Sequence, residues 1–460
     1  MTGAMTLRAG FGKVELTPPL GLELGGFGPF RRRRATEVRT PIWARALAVA
    51  IDGARWVLVS CDLLGVDAAT VARVRRQLTR LGLDADQVCV HATHTHSAPA
   101  VLPEFTGWGD VDGRYYAALT ARIALAAELA VADLRLATVA TATVDVPAFA
   151  FDRVRHAQPD PHHVARHGFA AAPTPGGSAD DRLRVMRFDR DDRSVGLAAH
   201  FACHPVICCE STTAVHGDFP GEAIARVELA RPNTFGVFLQ GALGDVNPLY
   251  AHGEAEESLR ILDIAADRFA AAILDGLERA EPQSDAVVAS AVASIDAELA
   301  WPSRDELAAE LALGEDVLRR AAASGDDEPA TMAGVQVLAL HRLLERLGRG
   351  GACPIAAQTL RLGDTTLTAF DLELFHRLQS SHEVVHGDRA LLLSTSNGYG
   401  GYGPTREAFG KPEGKYAVTQ VPRYLGRPPF TPEIEDVILV VAGQAVTASR
   451  SGPAAPRRRR

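Results

Sequence analysis

The sequence predicts an α/β protein folded as one large catalytic domain, with mixed β-sheets flanked by helices. Three observations carry this. Short Val/Ile/Leu-rich runs alternate with helix-periodic segments, polar loops follow the strand ends, and neither a repeat nor a clear linker divides the 460 residues. Hydrophobic residues at 47% and charged residues at 23% suit a chain with a substantial core, which excludes a disordered, collagenous or coiled-coil protein. A net charge of -8 gives no support to nucleic-acid binding. No apolar run approaches the roughly 18 residues of a transmembrane segment. No secretory leader is legible at the start, and the six cysteines, mostly inside apolar runs, read as buried free thiols. A cytoplasmic enzyme is expected.

Taken in order, strands at 46–50 and 56–61 surround the turn Asp52-Gly53. A helix is expected over 67–81, a brief strand at 88–90, an Ala-rich helix at 114–132 and a Val/Thr-rich strand at 137–146. Residues 152–181, dense in Pro, Gly and His, read as an irregular loop of the length that is usually functional or mobile. The strand LRVMRF and the run LAAHFACHPVI follow, then a helix at 220–230, the strand FGVFLQ and a long helix at 256–280. Residues 303–348 read as a charged helical hairpin, broken at SGDDEP and inserted into a domain spanning 1–450. Strands at 356–370, a helix at 372–381 and a strand at 390–395 lead into SNGYGGYGP. The run EDVILVVAG reads as a last strand, and 451–460 as a disordered basic tail.

The strongest local chemistry lies in Val90-His91-Ala92-Thr93-His94-Thr95-His96-Ser97. In extended chain at a strand mouth, His94 and His96 share one side, where two imidazoles can reach one ion, or an ion and its substrate. His204, alone in an apolar run, reads as a core residue, and beside the first cluster as a further ligand. Asp218 and Asp245 stand in Gly/Asp turns after strands, where α/β enzymes place polar working residues. The arginines 31–34 follow a Gly-rich loop and border a pocket in this reading, attracting an anionic group. His382-Glu383-Val384-Val385-His386 spells H-E-x-x-H, but Gly387 and Asp388 cut the helix and no third ligand stands at the usual spacing.

In this order, THTHS, the His-Pro dipeptide, GDFPG, QGALGDVNP and NGYGGYGPTREAF resemble the neutral/alkaline (non-lysosomal) ceramidase family, from about residue 10 to residue 420. The resemblance implies a ceramidase-like fold and a zinc-dependent hydrolase that cleaves an N-acyl amide bond with metal-activated water. It implies zinc held by His94, His204, Glu373 and Tyr402, with Tyr399 the alternative tyrosine. His96, Arg153 and Tyr416 match residues at the scissile group: a proton shuttle and two oxyanion donors. Asp62 and Asp245 are candidates for orienting the ligand histidines, and Asp218, Asn247 and Tyr399 for the pocket.

The chain departs from the family pattern in places. Asn247 stands where ceramide-cleaving members carry a serine, so an acyl-enzyme on that residue is impossible, and Asp152-Arg153 replaces an Asn-Arg pair. The C-terminal immunoglobulin-like domain and a secretion signal have no counterpart. A small or amphiphilic amide is therefore the expected substrate. The alternatives are acyl transfer, cyclisation or lactam chemistry on the same zinc scaffold, an H-E-x-x-H protease, and a non-catalytic binding protein.

Overall fold

The computed structural model describes residues 6–28, 33–105, 108–169, 179–283, 287–324, 327–348 and 353–451, with the backbone alone at 327–331. The Val- and Ala-rich runs form eight strands: β1 (Arg8–Glu15), β2 (Trp43–Ile51), β3 (Ala54–Cys61), β4 (Val88–Ala92), β5 (Arg135–Asp145), β6 (Arg182–Arg190), β7 (Val195–Phe201) and β8 (Thr234–Gln240). They line up as β8-β7-β6-β5-β1-β2-β3-β4. The β2–β3 hairpin turns on Asp52 and Gly53, both at positive φ (47° and 88°), the type I′ geometry that Asp-Gly favours. Only β3/β4 and β7/β8 pair in parallel. Parallel pairs need crossovers, supplied here by helix α1 (Ala68–Leu78) and, after α2 (Gly113–Ala132) and α3 (Pro161–His167), by α4 (Asp218–Ala230).

Helix α2 buries Leu119, Ile123, Ala126, Ala127 and Ala130 in the core beside β2 and β3. Among the described residues it is the one helix long and apolar enough to cross a membrane, and here it packs as a core helix.

After helix α5 (Ala255–Arg279), a second sheet forms from β9 (Val288–Ala297), β10 (Cys353–Leu362), β11 (Thr365–Ala369) and β12 (Ala390–Leu393). Its last pair, β11/β12, is again parallel. Helices α6 (Arg304–Ser324) and α7 (Asp327–Arg346) leave this sheet between β9 and β10 and share the small apolar cluster of Leu307, Leu340 and Leu343. Helix α8 (His376–His386) crosses between β11 and β12, and α9 (Ile434–Arg450) lies against β9 and β10. The sheets are joined through His91. Its Nδ1 stands 2.9 Å from Ser396 Oγ, and its Nε2 accepts the backbone N–H of Gln240 at 2.8 Å.

Under β7, β8 and α5 the core is aromatic. Phe149 is fully buried, with Phe169, Phe201, Phe219 and Phe269 rings at centroid distances of 4.9 to 5.8 Å. Phe149→Ala is expected to destabilise the protein by about 3–5 kcal/mol through the cavity it leaves, read as a lower denaturant midpoint with little change in slope.

Three local expectations are corrected. EDVILVVAG lies inside α9, where Ile438, Val441, Ala442, Ala445 and Val446 are buried at helical spacing. A short β-branched run does not distinguish a strand from a buried helix, and here burial of one face decided it. Within 152–181, residues 161–167 form α3, capped by Asp160 on the His162 N–H with Pro161 in its first turn. The helix expected over 372–381 starts at His376, because Glu373–Leu374 is a strand, and it runs on through His386. The expected basic tail, apart from Ser451, lies outside the described residues.

Candidate metal centre

The site forms where three parallel strand pairs end, the edge at which α/β sheets place their ligands. Beyond β4 the chain turns at His94, which adopts a left-handed φ of 69° rather than the extended form expected. The turn is held by the His94 N–H on the Leu63 carbonyl at 2.9 Å, and ring Nδ1 donates to the Leu64 carbonyl at 2.6 Å. A carbonyl only accepts, so Nδ1 carries the proton and Nε2 keeps its lone pair. Beyond β7, His204 repeats the arrangement, with Nδ1 at 2.8 Å from the Leu243 carbonyl and 3.1 Å from that of Val246. Beyond β11, Glu373 pairs its backbone with Tyr402 in a short parallel bridge.

These three side chains converge. Glu373 Oε2 lies 3.2 Å from His204 Nε2 and 3.6 Å from His94 Nε2, while Oε1 accepts the Tyr399 hydroxyl at 2.6 Å. All are buried. Burial lowers the His94 ring below its ordinary value and takes His204 to about 4, so both are neutral. Burial would raise the Glu373 carboxyl, and the Tyr399 hydroxyl, donating to Oε1, is what favours its ionised form beside two neutral rings. Two bare nitrogen lone pairs thus face an anionic oxygen away from water, and acceptors so placed repel one another unless a cation sits among them. The donor set is one that zinc takes. The ligand atoms of His94, His96 and His204 also lie within 4.8 Å of one another.

His96 stands on the cavity side of this centre, its ring 5.0 Å from His94 and 4.8 Å from Phe27. Both its ring nitrogens are buried without a protein hydrogen-bond partner. Burial, then the neighbouring His94 and His204 rings, hold it well below its ordinary value, hence neutral. Gly26, at φ 107°, leaves the room for this ring: a Cβ there would lie 2.5 Å from His96 Nδ1. Gly26→Ala is expected to lower turnover by up to about 100-fold through displacement of His96, with bound metal unchanged by elemental analysis.

A cavity of about 340 Å³ opens over the centre, lined by His96, Arg153, His204, Asn247, Tyr402 and Tyr416 together with Phe27, Trp108, Met332 and Tyr424. Arg153 donates to the Tyr402 hydroxyl at 3.0 Å, the Gly244 carbonyl at 2.8 Å and Asn247 Oδ1 at 3.4 Å. The Tyr416 ring sits 5.9 Å from that of Tyr402. The two tyrosines of NGYGGY therefore divide: Tyr399 holds the carboxylate of Glu373, and Tyr402 faces the cavity.

Other expected roles are not met. Asp62 accepts the Trp43 N–H at 3.0 Å and takes Thr93 Oγ1 at 3.4 Å, and burial raises it to about 6. Asp245 accepts the His376 N–H at 2.7 Å and faces its Nδ1 at 2.9 Å. Neither orients a ligand histidine, because backbone carbonyls already occupy both Nδ1 atoms. Asp218, raised by burial to about 7, accepts the N–H groups of Ile207, Cys208 and Phe219. The two described arginines of the 31–34 run are already engaged by protein groups. Arg33 is buried and donates to the carbonyls of His96 and Cys209, Arg34 pairs with Glu23, and 31–32 lie outside the described residues. The histidines of 152–181 do not line the main cavity.

H-E-x-x-H is helical after all, but Glu383 is tied to Arg182 at 2.8 Å and to Arg184, leaving no base for a protease. No third metal ligand accompanies His382 and His386 among the described residues. Sequence reasoning missed the apolar wall of Phe27, Trp108, Met332 and Tyr424, since lone aromatic and Met residues in loops and helices carry no spacing signal.

Fold and site together define an α/β protein in which two buried histidines and one carboxylate converge, as a candidate cation site, beneath an aromatic-lined cavity. The sequence pattern described as neutral/alkaline non-lysosomal ceramidase, N-terminal, matches residues 7–258. The chain belongs to that family. A crystal structure of neutral ceramidase from Pseudomonas aeruginosa superposes with a TM-score of 0.72 at 16% identity, covering 98% of this chain and 76% of that one. A structure of a ceramidase complexed with C2 gives 0.70 at 16% identity, covering 97% and 76%. At such identity these likenesses establish the fold. No curated protein sequence matches. Family and fold support a hydrolase of amide bonds.

Proposed function

We propose that this protein is a zinc-dependent hydrolase of an N-acyl amide bond in a small or amphiphilic substrate. The observation that supports this reading is the convergence of His94 Nε2, His204 Nε2 and Glu373 Oε2. These residues would hold the ion, with Tyr402 the ligand on the cavity side and Tyr399 orienting Glu373. When bound, zinc supplies Lewis acidity toward the carbonyl and lowers the pKa of a water toward about 7. His96, neutral and with no protein partner at either nitrogen, takes a proton at one ring nitrogen and passes it to the departing amine. Arg153 and Tyr416 donate hydrogen bonds to the oxygen on which negative charge develops. Asn247 cannot act as a nucleophile, so attack by water is direct. The apolar wall receives the hydrocarbon part of the amide.

The test is turnover of a panel of short- and long-chain N-acyl amines in ¹⁸O-labelled water. The expected product is a carboxylate carrying one solvent oxygen. A product without label means acyl transfer or cyclisation and overturns hydrolysis.

A further inference from the structure

We propose that Cys209, Glu210 and His252 form a second cation site on the rim of the same cavity, for a divalent transition metal of the zinc type. The Cys209 sulfur, a Glu210 carboxylate oxygen and a His252 ring nitrogen lie within 4.8 Å of one another. His252 Nδ1 is 3.1 Å from Glu210 Oε2. Thiolate, imidazole and carboxylate bind zinc at about 2.0–2.3 Å, so ligand atoms around one ion stand roughly 3–4 Å apart. The trio needs only a small contraction.

Burial pushes the Cys209 thiol up to about 12, so a bound cation is what would make it a thiolate; the backbone N–H groups of His252 and Gly253 donate to Sγ and act against that rise. Such a turn requires His252 to hold a left-handed φ of 59°. Without an ion the thiol proton rests on the Val206 carbonyl at 3.1 Å, and metal binding releases that proton to solvent.

Charge then gives the site a use. Arg33, whose Nη1 donates to the Cys209 carbonyl at 3.1 Å, adds one positive charge beside the sulfur. Thiolate and carboxylate contribute two negative charges and the ion two positive, so the rim carries a net single positive charge. Glu210 and His252 line the cavity alongside His96 and His204, so the open coordination position faces the substrate space. An anionic group of the substrate, a carboxylate or phosphate, would take it. This site shares no ligand with the His94–His204–Glu373 centre and does not depend on the reading of that centre.

The experiment is cobalt(II) titration of the full metal-free chain, followed by absorbance and equilibrium dialysis. Two equivalents are expected, one of them with thiolate-to-cobalt charge-transfer absorption. Cys209→Ser should remove one equivalent and that absorption. His252→Ala, at a half-exposed side chain, should remove the same equivalent and checks that the loss is not misfolding. His94→Ala should remove only the other equivalent and leave the thiolate band. Binding of one equivalent in total by the wild-type chain, with none left in His94→Ala, or a thiolate band that survives Cys209→Ser, overturns the proposal while leaving the first centre standing.

Discussion

Glu373→Gln is expected to empty the proposed zinc centre and to lower kcat/KM by more than the roughly 10²–10³-fold typical of losing a single oxyanion donor. Among the described residues the carboxylate is the one formal negative charge facing the Nε2 atoms of His94 and His204, at 3.6 and 3.2 Å. A neutral amide of the same shape removes the charge that offsets the cation and weakens Lewis-acid binding. Stability separates this from simple damage. In the metal-free protein the wild-type oxygen faces two lone pairs, whereas a glutamine N–H can donate to His204. Metal-free Glu373→Gln should therefore unfold at a higher denaturant concentration than metal-free wild type, by about 1 kcal/mol. With zinc present the order reverses. Were metal-free wild type the more stable of the two, the centre would be a structural ion pair.

His96→Asn is expected to lower kcat by about 10²–10⁴-fold with zinc content unchanged. The His96 nitrogens have no protein partner, and its ring lies 5.0 Å from His94 and 6.0 Å from His204, so it borders the centre and the cavity at once. An asparagine there keeps a polar group but cannot take up and release a proton near neutral pH. Metal content distinguishes the possible roles. Zinc lost with activity would make His96 a ligand in place of Tyr402, and kcat retained would remove it from the reaction.

What the sequence conveyed, and what it did not, follows from where the information sits. His94 and His96 stood out because clustered imidazoles at a strand end are rare, His204 joined them only beside that cluster, and Glu373 came from the family resemblance, as the glutamate into which the strand TLTAF runs. The groups that aim the histidines were hidden, since they are carbonyls of Leu64, Leu243 and Val246 and a carbonyl has no residue-type signature. Asp62 and Asp245 looked suited to that task, but the chain returns both carboxylates to backbone N–H groups. Helix α9 was misread because β-branched composition outweighed a helical burial pattern visible only in three dimensions. The division of labour between Tyr399 and Tyr402, three residues apart, depends on the turn between them.

The most direct test of the zinc centre is anomalous diffraction at the zinc edge from crystals of the full chain. The account predicts a peak bounded by His94 Nε2, His204 Nε2 and Glu373 Oε2 at distances of about 2.0–2.2 Å. A map with no peak there, from protein that hydrolyses its amide substrate, would contradict it.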